Sequence, residues 1–116
     1  MSERVTAVSD AHLSVIHWLQ RHGVELIEEV TFPPFTVDCY VPRFHVVIEV
    51  DGPQHRASRD KKRDLYLGEA YNLLVGHIPA GAVEKVVHDE VVRLFRSAAD
   101  TARVRRQECL MRVPGL

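Results

Sequence analysis

The stretch FTVDCYVPRFHVVIEVD, Phe35 to Asp51, decides how this chain is read. Phe35 to Val41 and His45 to Asp51 are its two most β-rich segments, crowded with Val, Ile, Phe, Thr and Tyr. Pro42-Arg43-Phe44 between them suits a hairpin connection. Val46, Val47 and Ile48 are apolar on consecutive positions, so the second strand is expected to be covered on both faces. A turn centred between Arg43 and Phe44 sets Val41 opposite Val46 and Asp38 opposite Glu49. Directly opposed residues share a face, and Asp51, two positions on, shares it too. Three carboxylates are thereby expected to converge beside the end of a buried strand. Like charges set opposite each other destabilise a sheet, and a divalent cation with hard oxygen ligands would relieve the conflict. The competing reading is an exposed hairpin face whose acids pair with Lys or Arg. A one-residue slip of register would dissolve the cluster altogether.

Outward from the hairpin, the elements are short and regular. Ser9 or Asp10 caps a helix over about 10–22 that carries Val15, Ile16 and Leu19 and stops at Gly23. Val24 to Thr31 alternates as a half-buried strand, ended by Pro33-Pro34. After Gly52-Pro53, Ser58 caps a helix to Tyr71, expected to pack Leu65, Tyr66, Leu67 and Ala70. Leu73 to Ile78 is a strand closed by Pro79, and Ala82 to about Arg106 reads as one long helix. The tail from Val113 is expected to fray. The order αβββαβα implies a single α/β (α+β) domain, a mixed sheet of about four strands flanked by helices. Its core spans about 9–95, and an Arg-rich helix and tail cover about 96–116.

Composition narrows the class. The chain has 116 residues, 46% hydrophobic and 27% charged, with a formal net charge of −1. No apolar run approaches the ~20 residues that span a bilayer, no secretory signal is evident at the start, and Cys39 and Cys109 stand alone without a CxxC partner. A cytoplasmic chain without a zinc ribbon is expected. The charge is nevertheless uneven. Arg56, Arg59, Lys61, Lys62 and Arg63 cluster just after the acids, and Arg93, Arg96, Arg103, Arg105, Arg106 and Arg112 follow near the end. Such polarity suits a polyanion on one side. The C-terminal arginines fit either a DNA clamp or a partner subunit. Trp18 is expected in the core, and His17, His22, His45 and His88 on the surface.

The strings FTVDCY, then VIEVDGPQH ending at His55, then DKKRD from Asp60 with Leu67 beyond, resemble the very-short-patch-repair-like endonuclease family. That family is a compact branch of the PD-(D/E)XK nuclease superfamily, and the likeness covers about residues 9–95. It implies a restriction-endonuclease-like fold and a Mg²⁺-dependent DNA endonuclease, with Mn²⁺ able to substitute. Carried over residue by residue, it implies metal ligation by Asp38, Glu49 and Asp51 and catalysis by these acids with His55. Arg56, Arg59, Lys61, Lys62 and Arg63 would contact DNA, with Arg63 matching the family motif. His12, Glu29, Gln54 and His77 are second-layer candidates. Three of these depart from the family pattern: His12 stands where many relatives carry Glu, Glu29 where they often have Gln, and His77 where an Arg is common. A module that binds DNA or supports assembly without cutting is the alternative function, and a structure-specific or RNA-directed nuclease a third. Partners implied are DNA, with no membrane, and either a homodimer through the C-terminal helix or a larger repair assembly. The small size suits a phage or bacterial accessory nuclease.

Overall fold

The computed structural model describes residues 10–52 and 57–113. The elements run α1 (Asp10–Arg21), β1 (Ile27–Phe32), β2 (Phe35–Val41), β3 (Val46–Asp51), α2 (Ala57–Tyr71), β4 (Leu74–Pro79), α3 (Glu84–Ala98) and α4 (Ala102–Arg112). One four-stranded sheet is ordered β1-β2-β3-β4. The first three strands are antiparallel and β4 runs parallel to β3, reached through α2. The hairpin has the register that its turn implies, with Val41 on Val46, Tyr40 on Val47 and Cys39 on Ile48. Among the described residues no helix is long and apolar enough to cross a membrane.

The sheet separates two apolar cores. On one face Val15, Trp18 and Leu19 of α1 and Val87, Val91, Leu94 and Phe95 of α3 close over Cys39, Val41, Val46, Ile48 and Ile78. On the other, Leu67 and Tyr71 of α2 and Cys109 of α4 pack on Phe32, Val37, Tyr40 and Val47. Val46 and Ile48 therefore face one core and Val47 the other, which is why three consecutive apolar residues are all buried.

Several elements differ from the sequence expectation. Val24 is not in a strand: its N–H bonds Leu19 O at 2.9 Å while Gly23, at φ 66°, donates to Gln20 O at 3.2 Å. That pair of bonds is a Schellman stop, and it delays β1 to Ile27. In α2, Leu65 and Tyr66 are exposed while Leu67 is buried, because only one stripe of the helix meets the sheet. Ser58 lies within α2 rather than at its cap. The long C-terminal helix is two. The apolar stripe of α3 ends at Ala98, and the turn through Asp100 lets α4 bring Cys109 to the opposite core. The element order is thus αβββαβαα. His45 is 1% exposed rather than a surface residue, held between the Tyr40 hydroxyl at 2.7 Å and Tyr71 O at 2.8 Å. The turn places His45 at φ 50°, and this carries its ring inward. The tail beyond Val113, where fraying was expected, lies outside the described residues.

Candidate active site

The acids gather where β2, β3 and β4 meet α2. Alternation along β2 slips at Asp38, since Val37 and Tyr40 face one core while Cys39 and Val41 face the other. Across the β1–β2 ladder the pairs Glu28–Cys39 and Val30–Val37 bracket this point, and Glu29 there has φ 54°. The slip leaves Asp38 half-buried against β3.

Asp38 and Glu49 grip each other's strands. The Asp38 N–H donates to Glu49 Oε2 at 2.6 Å, and the Val50 N–H donates to Asp38 Oδ2 at 2.9 Å. Glu49 is 6% exposed. Its other oxygen accepts from the Arg63 guanidinium, which also donates to Thr36 O at 2.9 Å. Burial pushes the Glu49 carboxyl above the usual range, and the Asp38 charge adds to this; the Asp38 N–H and Arg63 oppose it without cancelling it.

The second half of the site is built on His77, which β4 places beside Glu49 in the parallel register. Its Nδ1 lies 3.0 Å from Asp51 Oδ1 and its Nε2 lies 2.5 Å from Asp64 Oδ2. Burial lowers the affinity of this ring for its proton, but the bonds to Asp64 and Asp51 outweigh it and hold the pKa above the ordinary value. Ligand atoms of Asp51, Asp60 and His77 all lie within 4.8 Å of one another. Asp64 Oδ1 is buried and has no hydrogen-bond partner among the described residues.

The expected site residues distribute as follows. Asp38 and Glu49 are in contact, and Asp51 pairs with His77. His12 lines a small cavity with Asp38 and sits 3.3 Å from Glu28. Glu29 is exposed. Arg59, Lys61 and Lys62 are exposed on α2, whereas Arg63 is turned onto Glu49. Gln54, His55 and Arg56 lie outside the described residues. Asp60 and Asp64 join the cluster unanticipated; their i, i+4 spacing within the motif following His55 puts them on one helix face, and that was the available signal. Beside the acids an open cleft of about 640 Å³ runs past Phe35, Arg59, Lys62, Arg63 and Tyr66.

The helix-flanked mixed sheet thus carries acids at the end of a buried strand, beside α2. The chain shares its fold with the catalytic domain of the homing endonuclease I-Bth0305I, at a TM-score of 0.52 and 15% identity, over 83% of this chain and 95% of that one. No protein-family model matches the chain, and no curated protein matches it in sequence.

Proposed function

We propose that this chain is a metal-dependent DNA endonuclease of the very-short-patch-repair-like type, hydrolysing phosphodiesters with a metal-activated water. The observation that carries the reading is the mutual grip of Asp38 and Glu49 across β2 and β3. It holds two like charges together, one of them buried, on a fold shared with an endonuclease catalytic domain. Folding alone gains little from opposing carboxylates, and hard oxygen donors in this number suit Mg²⁺ or Mn²⁺. The ligand atoms that converge are those of Asp51, Asp60 and His77, with Asp64 Oδ1 a buried oxygen that has no hydrogen-bond partner among the described residues. Asp51 is the acid common to that group and to the expected Asp38, Glu49 and Asp51 set.

Asp38, Glu49 and Asp51 would hold the ion, with Arg63 as the positive charge that otherwise balances Glu49. When bound there, a divalent ion makes water nucleophilic near neutral pH and offsets charge on the scissile phosphate. The chain's own groups do the rest. His77, bonded to Asp51 on one side of its ring and to Asp64 on the other, fixes the orientation of Asp51. Arg59 and Lys62 offer exposed charge to phosphates along the cleft, Lys61 adds charge on the same helix, and His55 is assigned the proton transfer.

Incubation with supercoiled plasmid tests the reading. With Mg²⁺ or Mn²⁺ the chain should produce nicked circles, and EDTA or Glu49→Ala should stop this. Binding without cutting on plasmid, mismatched, flapped and four-way substrates would leave the non-catalytic module as the function. Cutting by Glu49→Ala at the wild-type rate would assign the activity elsewhere.

A further inference from the structure

Exposed cations on this molecule are of two kinds. Arg21, Lys85 and Arg93 are neutralised by Glu84, Asp89 and Glu90. Arg43, Arg103 and Arg106 form no ion pair among the described residues, yet they converge on one cleft of about 560 Å³ between the β2–β3 turn and α4. Glu25 on the rim is the one acid lining it. The neighbouring Arg105 is not part of this set, because its guanidinium is tied to the carbonyls of Phe44, His45, Asn72 and Ala98. Those bonds fix α4 against the turn, and so fix the direction in which Arg103 and Arg106 are presented. Three guanidiniums without a carboxylate partner among the described residues, Arg43 lying over the Phe44 ring and Arg106 beside the Tyr40 hydroxyl, are a recognition surface for anionic groups, since each has a planar fork of donors suited to phosphate.

The cleft's place in the fold points to the occupant. It opens at the turn end of β3, and the acids lie at the opposite end of that strand. α2, which flanks the acids, and α4, which lines the cleft, pack on the same sheet face through Leu67, Val47 and Cys109. The six residues of β3 separate the two places by roughly 16 Å at ~3.3 Å per residue. That is about half of the ~34 Å helical turn of a DNA duplex. We propose that Arg43, Arg103 and Arg106 form a second phosphate-binding surface, gripping duplex backbone about half a turn from the bond that is cut. This rests on the endonuclease reading and extends it from the cutting centre to the way the substrate is held. Because the contact is to phosphate, it is blind to sequence.

The test is a double variant, Arg103→Gln with Arg106→Gln, in the full chain. Affinity for a labelled duplex is read by fluorescence anisotropy in EDTA across a series of KCl concentrations, and turnover is read with Mg²⁺ at saturating duplex. Affinity at low salt should fall about tenfold, and the slope of log affinity against log salt should become shallower by about two units, as two phosphate contacts predict. Turnover at saturation should stay within twofold of wild type. Arg103→Lys with Arg106→Lys should keep the wild-type slope. A control, Arg93→Gln with Arg96→Gln, makes the same change of charge on α3, on the far side of the sheet. If the control weakens binding as much as the double variant, only net charge is at work and the surface is overturned. An unchanged slope in Arg103→Gln/Arg106→Gln overturns it as well, and so does loss of turnover at saturation. If that variant instead loses binding to poly-glutamate while keeping duplex binding, the cleft is for an acidic protein and the DNA assignment fails. Wild type that neither binds nor cuts any duplex would bring down the endonuclease reading itself, an outcome distinct from all of these.

Discussion

At Glu49 the chain accepts a carboxylate whose burial raises its pKa, and it satisfies both oxygens with an Asp38 N–H and Arg63. Glu49→Gln preserves the shape but not the charge. Turnover should fall at least about a thousandfold, since charge stabilisation at such a site supplies several kcal/mol in the transition state. Duplex affinity, measured alongside, should hold or improve as repulsion of phosphate drops. The hairpin register from Cys39–Ile48 to Val41–Val46 was legible in the sequence because a short turn fixes the pairing, but the break in alternation at Asp38 was not, since a period of two carries no sign of it. The His77 cluster was less legible than the register, because β4 and α2 approach it from separate parts of the chain. His45 was misread outright: nothing local reveals that the Tyr40 hydroxyl and Tyr71 O would enclose it. Burial holds its pKa below the ordinary value of about 6.5. Once the pH falls below that value, the unfolded chain binds a proton that the folded one refuses, and stability declines. His45→Asn, which tolerates the positive φ, should flatten that decline when thermal melts are compared between pH 7 and pH 5.5.

Among the elements, α4 depends on one side chain. Arg105 reaches carbonyls of the β2–β3 turn, of the α2–β4 connection and of the end of α3, joining three parts of the chain that are distant in sequence. Arg105→Ala should cost about 2–3 kcal/mol, since it removes several charge-assisted bonds to partly buried carbonyls. Arg105→Lys should recover less than half of this, because one ammonium cannot span the set. Denaturant melts decide both. The break before α4 was hidden from a reading by periodicity, as Ala102 and Arg106 still fall at plausible helical intervals from Ala98. The clue was Asp100-Thr101, a pair that favours helix starts. α4 gives a homodimer no support, for Ala102 and Cys109 are spent on its own chain. Between β4 and α3 the fit is close. A Cβ on Gly76 would lie 2.8 Å from Leu94 Cδ2. Gly76→Val should destabilise by about 1–3 kcal/mol through overpacking. The penalty should shrink when Leu94→Ala is present, a coupling that a double-mutant cycle reads directly.

For the molecule as a whole, a bound ion is a ligand of the folded state alone. Mg²⁺ or Mn²⁺ should therefore raise the melting temperature, with stabilisation of about 2.7 kcal/mol once the ion is a hundredfold above its dissociation constant. Asp38→Asn should abolish the shift, and a shift that survives would place the cation elsewhere. The sheet also divides the interior so that each core holds one cysteine, Cys39 with α1 and α3, Cys109 with α2 and α4. Both thiols are buried, and the Cys39 thiol, pushed up to about 12 by burial and by the acids around it, is a poor nucleophile while the protein is folded. A disulfide reagent can then react only with molecules that have opened. With Cys109→Ser or Cys39→Ala in turn, the remaining thiol becomes a clock for its own side of the sheet. Equal labelling rates would mean that the halves open together, and unequal rates would identify the layer that yields first.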